Sequence, residues 1–365
     1  KAGVLGEREV EQARGIRVVE LIGGYGILTL EKSQILKLSE VSKITYIEMP
    51  KRLFFSVDKG RAASCISPIQ SGAIGGVRKK LLGKGVLVAI LDSGIDYFHP
   101  DFRNRDGSTR ILRIWDQTAI WQPTQEGLIR YQTGREYTKE QIDEALSSNT
   151  REEALALVPV TDGTTSGHGT AVASIAAGNG RGSQGEQYRG VAPESSILIV
   201  KVGTARENGF PRTTELMMAV DYTLRTAAAL NMPVAINISI GNNYGSHDGT
   251  SLLETYLNTA SDVGRAVICI GTGNEGISRA HRSVQLKERE QQEIEFSIST
   301  YETGLTIQIW KHYVDRFFIT LISPSGMEAG PFQQELGTQE FRLDQTKLLL
   351  YYGEPAPYTQ AQEIF

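Results

Sequence analysis

The stretch Val86-Leu-Val-Ala-Ile-Leu-Asp-Ser-Gly-Ile-Asp96 decides how this chain is read. The apolar run 86–91 ends on Asp92 and is followed at once by the turn formers Ser93 and Gly94. A short unbroken apolar run bounded by turn residues reads as a strand buried on both faces, the habit of a parallel sheet covered by helices. In an open sheet of that kind, ligands gather just past the carboxyl ends of the strands. Asp92 stands at such an end, where a carboxylate needs donors or a cationic partner to offset burial. Capping of local backbone amides is the alternative reading of the same residue.

Working outward, residues 197–202, 234–240 and 266–270 repeat the strand pattern, while 214–231 and 251–262 read as helices between them. That alternation predicts βαβ units from about residue 85 to 276. The less regular stretch 121–160 reads as an insertion with a short helix at 139–146. Before the sheet, strand-like runs at 17–22 and 26–30 flank Gly23-Gly24, a helical face follows at 33–41, and 42–48 returns to strand. These predict a small separate α/β unit. Residues 58–64 are polar and small, without periodicity, and read as an exposed linker of the kind proteases cut. Past residue 284, Ile294, Phe296 and Ile298, then Leu305, Ile307 and Ile309, alternate at period 2, which predicts half-buried strands. Strand-like runs at 317–322 and 347–352, with the turn Ser323-Pro-Ser-Gly326, continue the all-β theme. The domain reading is therefore 1–64, 65–283 and 284–365.

Composition narrows the function classes. A chain of 365 residues with 40% hydrophobic and 22% charged residues has room for two or three domains and is not disordered throughout. Lys plus Arg number 38 against 42 Asp plus Glu, a net charge of -4, so no basic excess draws a nucleic-acid backbone. Two cysteines, Cys65 and Cys269, exclude a disulfide scaffold, and Cys269 within Ala266-Val-Ile-Cys-Ile270 is expected to be a small buried hydrophobe. No run reaches the roughly 18 apolar residues of a membrane span. The sequence opens on Lys1-Ala-Gly-Val4 without Met or a signal core, which reads as a removed leader or a start inside a longer product and leaves localisation open.

Two more segments carry chemistry. In Ser166-Gly-His-Gly-Thr-Ala-Val-Ala-Ser-Ile-Ala-Ala-Gly178, His168 sits between glycines ahead of a helix of small residues that is able to press close to a sheet. An imidazole there exchanges protons near neutral pH, and a buried aspartate would fix its tautomer; a structural histidine is the plainer reading. In Ile270-Gly-Thr-Gly-Asn-Glu-Gly276, Asn274 follows another strand. Its amide is suited to stabilising an oxyanion, worth about 2.7–4 kcal/mol in the subtilisin example from which the magnitude is taken. A turn asparagine with left-handed backbone is the alternative.

Together, Asp92 in Asp-Ser-Gly-Ile, His168 in Gly-His-Gly-Thr and Asn274 in Gly-Asn-Glu-Gly resemble the subtilisin-like serine proteases, in that family's order. Gly190-Val-Ala-Pro193 and Asn237-Ile-Ser-Ile-Gly241 look like further landmarks. The resemblance implies a subtilisin-like α/β sheet covered by helices, with Asp92 orienting His168, His168 acting as base and then acid, and Asn274 donating to the oxyanion. It also implies that Ser239, Ile240 and Gly241 line a cleft that pairs with an extended peptide, with Asn208, Gly209 and Phe210 on the opposite wall. Protein or peptide is the implied substrate. The first unit then resembles a propeptide acting as an intramolecular inhibitor. The third resembles the partial jelly-roll insertion of spore-germination proteases, through Ile309-Trp-Lys311, Ile322-Ser-Pro-Ser-Gly326 and Tyr351-Tyr-Gly-Glu-Pro355. A spore-associated or secreted setting follows from that branch alone.

By the same resemblance the nucleophile follows a Gly-Thr sequence located after the oxyanion asparagine, and no Gly-Thr-Ser motif follows Asn274 in this sequence. Gly249-Thr-Ser251 precedes it and runs into Leu252-Leu-Glu254, so Ser251 reads as the cap of the next helix. The expectation is a serine endopeptidase precursor whose serine lies downstream, leaving these 365 residues inactive by themselves. The alternative is a non-catalytic scaffold of the same fold that binds a peptide, a protein or a small germination signal. Histidines at 99, 168, 247, 281 and 312 show no paired metal spacing, and Asp92, Asp96 and Asp101 lack an EF-hand pattern. No cofactor is expected; calcium stays open by resemblance, with no ligands assigned. Gly23-Gly-Tyr-Gly26 is too isolated for a phosphate loop.

Overall fold

The computed structural model describes residues 17–21, 25–34, 37–38, 41, 57–72, 80–122, 128, 131–162, 167–204, 211–274, 278–298, 302–354 and 359–365. The strand expected at 42–48 lies outside the described residues. Two compact units divide the chain, Lys1–Ser56 and Val57–Phe365. In the first, β1 (Arg17–Leu21) and β2 (Tyr25–Thr29) form an antiparallel hairpin with Arg17 opposite Thr29.

The second unit begins with α1 (Val57–Ala63) and α2 (Ile66–Ser71). Residues 58–63 are thus helical rather than an irregular linker, with Gly60, Ala62 and Ala63 exposed. Their small side chains hide the reason, which is tertiary. Arg61 donates through Nη1 to the Arg189 carbonyl and through Nη2 to the Gln187 carbonyl at 3.1 Å. In α2, Gln70 donates to the carbonyls of Gly190 and Val191, both at 2.8 Å.

The expected sheet is present. Its strands are β3 (Leu87–Asp92), β4 (Ile111–Asp116), β5 (Arg135–Thr138), β6 (Ser196–Lys201), β7 (Val234–Ile238) and β8 (Ala266–Ile270), in the spatial order β5-β4-β6-β3-β7-β8. All pairings are parallel except β5 against β4. The covering helices are α3 (Lys139–Leu146), α4 (Arg151–Leu157), α5 (His168–Ala177), α6 (Thr213–Ala229) and α7 (Leu252–Ser261). Successive strand residues point to opposite faces. Leu87, Ala89 and Leu91 accordingly pack with Leu216, Val220 and Leu257 of α6 and α7, whereas Val88 and Ile90 pack with Ile142, Ala173 and Ala177 of α3 and α5. Every residue of central strand β3 is buried, and each fully buried aliphatic side chain contributes roughly 1.5–3 kcal/mol. This rigid centre holds the loop that follows Asp92.

Sequence reading missed β4, because Arg113 interrupts the apolar run Ile111-Leu-Arg-Ile-Trp115. Ile111, Ile114 and Trp115 are nonetheless buried, with a register shift between Ile111 and Arg113 that leaves no regular period to read.

Downstream, β9 (Ile309–His312), β12 (Gly337–Leu343), β13 (Thr346–Tyr352) and β14 (Ala361–Ile364) form an antiparallel sheet ordered β12-β13-β14-β9. A separate antiparallel pair joins β10 (Leu321–Ile322) to β11 (Glu328–Ala329). Phe332, Leu343, Leu350, Tyr352 and Ile364 form the core of this region. The strands expected around 294–298 and 305–307 are not formed among the described residues; Ile294, Phe296, Ile298 and Leu305 stay about half exposed, at 49%, 52%, 51% and 51%. Period-2 patterning marks an apolar face, but a strand also needs a neighbour to complete its ladder. Cys269 likewise is exposed rather than buried. Among the described residues strand β8 lies at the edge of the sheet beside β7, and of its residues Ala266 and Ile268 pack on the core while Val267 and Cys269 face outward.

Candidate active site

Asp92 is the last residue of β3 and only 1% exposed. His168 is the first residue of α5, and its Nδ1 lies 2.8 Å from Asp92 Oδ1. The contact joins residues 76 apart in sequence. Gly167, the cap of α5, has φ 63, a left-handed turn that glycine adopts without strain and that swings the chain into the helix at His168. Asp92 Oδ1 also accepts the Ser93 backbone N–H at 2.8 Å. A carboxylate only accepts, which places the imidazole hydrogen on Nδ1 and makes Nε2 the ring's basic nitrogen. Asp92 Oδ2 is buried with no hydrogen-bond partner among the described residues. The carboxylate therefore concentrates its interactions on one oxygen, beside the imidazole.

Around this pair sits a second carboxylate. Asp162 Oδ2 accepts from the Thr170 backbone N–H at 2.8 Å and from Thr170 Oγ1 at 2.7 Å, while Asp162 Oδ1 accepts from Ser93 Oγ at 2.7 Å. Ser93 Oγ in turn accepts the Gly169 N–H at 3.0 Å. Sequence reading did not single out Asp162; its position six residues ahead of His168 was the only local signal.

Other segments reach the same edge of the sheet. Because β3, β7 and β8 run parallel side by side, their carboxyl ends emerge together. Ser239 and Ile240, directly after β7, are half-buried and Gly241 is exposed, with the Asn237 side-chain amide donating to Ser239 Oγ at 2.9 Å. The chain leaving β8 is tied to β7 by Gly271 N–H to the Ile238 carbonyl at 3.0 Å, and exposed Asn274 follows. Asn208, Gly209 and Phe210 lie outside the described residues. Ser251 caps α7: its Oγ accepts the Glu254 N–H at 3.3 Å while Glu254 returns a carboxylate to the Ser251 N–H at 2.9 Å.

The three acidic residues of the Asp92 loop serve different partners. Asp96 pairs with Arg151 at 2.9 Å, and buried Asp101 accepts from Gly182 N–H at 2.7 Å and Ser174 Oγ at 3.1 Å. Among the described residues no group of three or more His, Cys, Asp or Glu side chains is arranged to hold a metal ion. No helix among them is long and apolar enough to cross a membrane.

Compared with known proteins, residues 83–305 match the model of the subtilase family, more than half of the chain. The chain belongs to the subtilase family. Ahead of this subtilase region, residues 4–51 match the prodomain of Csp protease B. Among solved subtilases, the CspB protease of Clostridium perfringens is 31% identical with a TM-score of 0.67, the match covering 84% of this chain and 60% of that one. The major intracellular serine protease of Bacillus subtilis is 29% identical over 199 residues, 54% of this chain and 46% of that protein. A PII-type proteinase of Lacticaseibacillus paracasei is 24% identical over 277 residues, 74% of this chain and 13% of that protein. The chain thus spans less than half the length of these two curated relatives.

Proposed function

We propose that this chain supplies the prodomain, the acid–base pair and the oxyanion donor of a subtilisin-like serine endopeptidase, with the nucleophilic serine encoded downstream of Phe365. The observation that carries the reading is the 2.8 Å contact between His168 Nδ1 and the buried Asp92 carboxylate. In this reading Asp92 holds the ring in one tautomer and stabilises the imidazolium, His168 Nε2 takes the serine proton and returns it to the leaving amine, and the Asn274 amide meets the oxyanion. Ser239, Ile240 and Gly241 pair with the substrate as an added strand, opposite Asn208, Gly209 and Phe210. The propeptide-like unit, put at 1–64, covers the cleft as an intramolecular inhibitor. Residues 65–283 form the catalytic part, and 284–365 the jelly-roll-like insertion of a spore-germination protease, in a spore-associated or secreted setting. The prodomain match and the likeness to the CspB protease support this branch.

The test is labelling of the full gene product, freed of its first unit, with a fluorophosphonate. Labelling that is lost in His168→Ala is the expected result. Properly folded wild-type protein that stays unlabelled would point instead to a non-catalytic binding scaffold.

A further inference from the structure

The hydroxyl of Ser93 has one hydrogen and two carboxylates within reach. Asp162 Oδ1 lies 2.7 Å from Ser93 Oγ, and Asp92 Oδ1 lies 3.1 Å from it. A hydroxyl donates once. One of its two acceptor lone pairs takes the Gly169 N–H at 3.0 Å, and rotation about the side-chain bond decides which carboxylate receives the hydrogen. The shorter contact is to Asp162, and shorter O–H···O⁻ bonds are the stronger ones.

From this geometry we infer that Asp162 is a positioning residue for the Asp92–His168 pair, holding the Ser93 hydroxyl hydrogen away from Asp92 Oδ1 so that no side-chain donor there competes with His168 Nδ1–H. The inference rests on the reading of His168 as the base. It has two supports besides the distances. Asp92 Oδ2 is buried without a partner among the described residues, so apart from His168 the closest donor to this carboxylate is the Ser93 backbone N–H on Oδ1, at 2.8 Å. Asp162 also grips the start of the histidine helix: its Oδ2 takes both the Thr170 N–H and the Thr170 hydroxyl, and Thr170 Oγ1 accepts the Asp96 N–H at 3.0 Å. One side chain thereby touches the loop that follows Asp92 at Ser93 and the helix that begins with His168.

A neutral amide at this position reverses the arrangement. In Asp162→Asn, the oxygen can keep the Thr170 N–H while the amide nitrogen donates to Ser93 Oγ. The hydroxyl hydrogen is then forced onto Asp92 Oδ1, where it competes with His168 Nδ1–H. Charged groups near the pair among the described residues include Lys201, opposite Asp92 in the sheet register with its ammonium 3.8 Å from Asp116, and Asp96, bonded to Arg151.

The experiment follows the downfield imidazole N–H proton resonance of His168 in the intact protein, assigned by its disappearance in His168→Gln. Asp162→Asn is expected to move this resonance upfield, and the same substitution in a Ser93→Ala background is expected to leave it in place, because no hydroxyl remains to be redirected. An unmoved resonance in folded Asp162→Asn, or an equal shift in both backgrounds, overturns the inference and leaves Asp162 a helix cap. Should Asp162→Asn fail to fold, Ser93→Ala alone decides. Its resonance stays put if the hydrogen belongs to Asp162, whereas a downfield move means it belonged to Asp92 and refutes the assignment. The signal reports the Asp92–His168 contact whether or not a peptide is cleaved. Failed fluorophosphonate labelling would therefore count against the proposed hydrolysis and not against this result.

Discussion

Gly169 and Gly94 meet backbone to backbone: a methyl group built on Gly169 would lie 2.3 Å from the Gly94 carbonyl oxygen and 3.1 Å from the Gly94 nitrogen. Gly169 is the second residue of the histidine helix, and Gly94 belongs to the turn that follows Asp92. The close approach sets the spacing at which the imidazole and carboxylate meet.

Alanine normally gains about 1 kcal/mol over glycine inside a helix. At Gly169 the clash is with main-chain atoms that cannot swing aside, and overpacking of this kind costs typically about 1–3 kcal/mol. Gly169→Ala is therefore expected to lose stability in urea unfolding, by about 1 kcal/mol once the helix gain is subtracted, and to displace the His168 ring from Asp92. A variant as stable as wild type would show that the helix can move outward freely.

Gln70 is 3% exposed and its side-chain nitrogen spends both hydrogens on the Gly190 and Val191 carbonyls. Gln70→Leu keeps the volume and strands both acceptors, an expected cost of about 2 kcal/mol. The midpoint of urea unfolding checks it. Amide exchange at Val191, which bonds the Ile175 carbonyl of α5 at 3.0 Å, should quicken.

Arg110 is 7% exposed, and its guanidinium donates to the carbonyls of Asp101 at 2.9 Å, Ala177 at 2.7 Å and Ser195 at 2.7 Å. Burial pushes its pKa down to about 10, still charged at neutral pH. Arg110→Met should be strongly destabilising, because it strands three backbone carbonyl acceptors at a typical cost of about 1–3 kcal/mol each. Arg110→Lys is not expected to rescue it, because a single ammonium cannot span the three carbonyls in the planar fork that Arg presents. Thermal melts of the two variants test both statements.

Glu215, in the first turn of α6, has its pKa lowered, chiefly by the Arg212 side chain and then by backbone and hydroxyl donors. A carboxylate whose folded value is depressed stabilises the fold above its unfolded value, about 4.3, and loses that contribution as pH falls through the folded value. Wild type should accordingly be more stable than Glu215→Gln at pH 7, with the difference vanishing as the solution is acidified below about pH 4. Urea midpoints across that range would show it; a gap independent of pH would assign the effect to packing.

Legibility of the sequence varied with the range of the interaction. The apolar runs of β3, β6, β7 and β8 were readable because burial on both faces leaves an unbroken local pattern. Strand β4 was not, since Arg113 breaks the run while its neighbours carry the burial. The caps Thr138 and Ser251 follow local chemistry, each accepting from a backbone N–H three residues on. The helix at 57–63 depends on carbonyls at 187 and 189, far along the chain, and its sequence read as linker. The alternating residues 294–298 carried a strand pattern and no ladder partner among the described residues.

By itself the sequence determined the class of sheet and the ends of strands near which Asp92 and Asn274 would stand, because the period of apolar residues and the glycines that follow them are properties of a few neighbouring positions. Only the tertiary structure decided that Asp92 Oδ1 meets His168 Nδ1, that Asp162 shares the Ser93 hydroxyl with Asp92, and that Cys269 faces outward. Those outcomes depend on which distant backbones can approach within hydrogen-bond distance. Steric contact of the kind between Gly94 and Gly169 fixes that approach, and no local pattern encodes it.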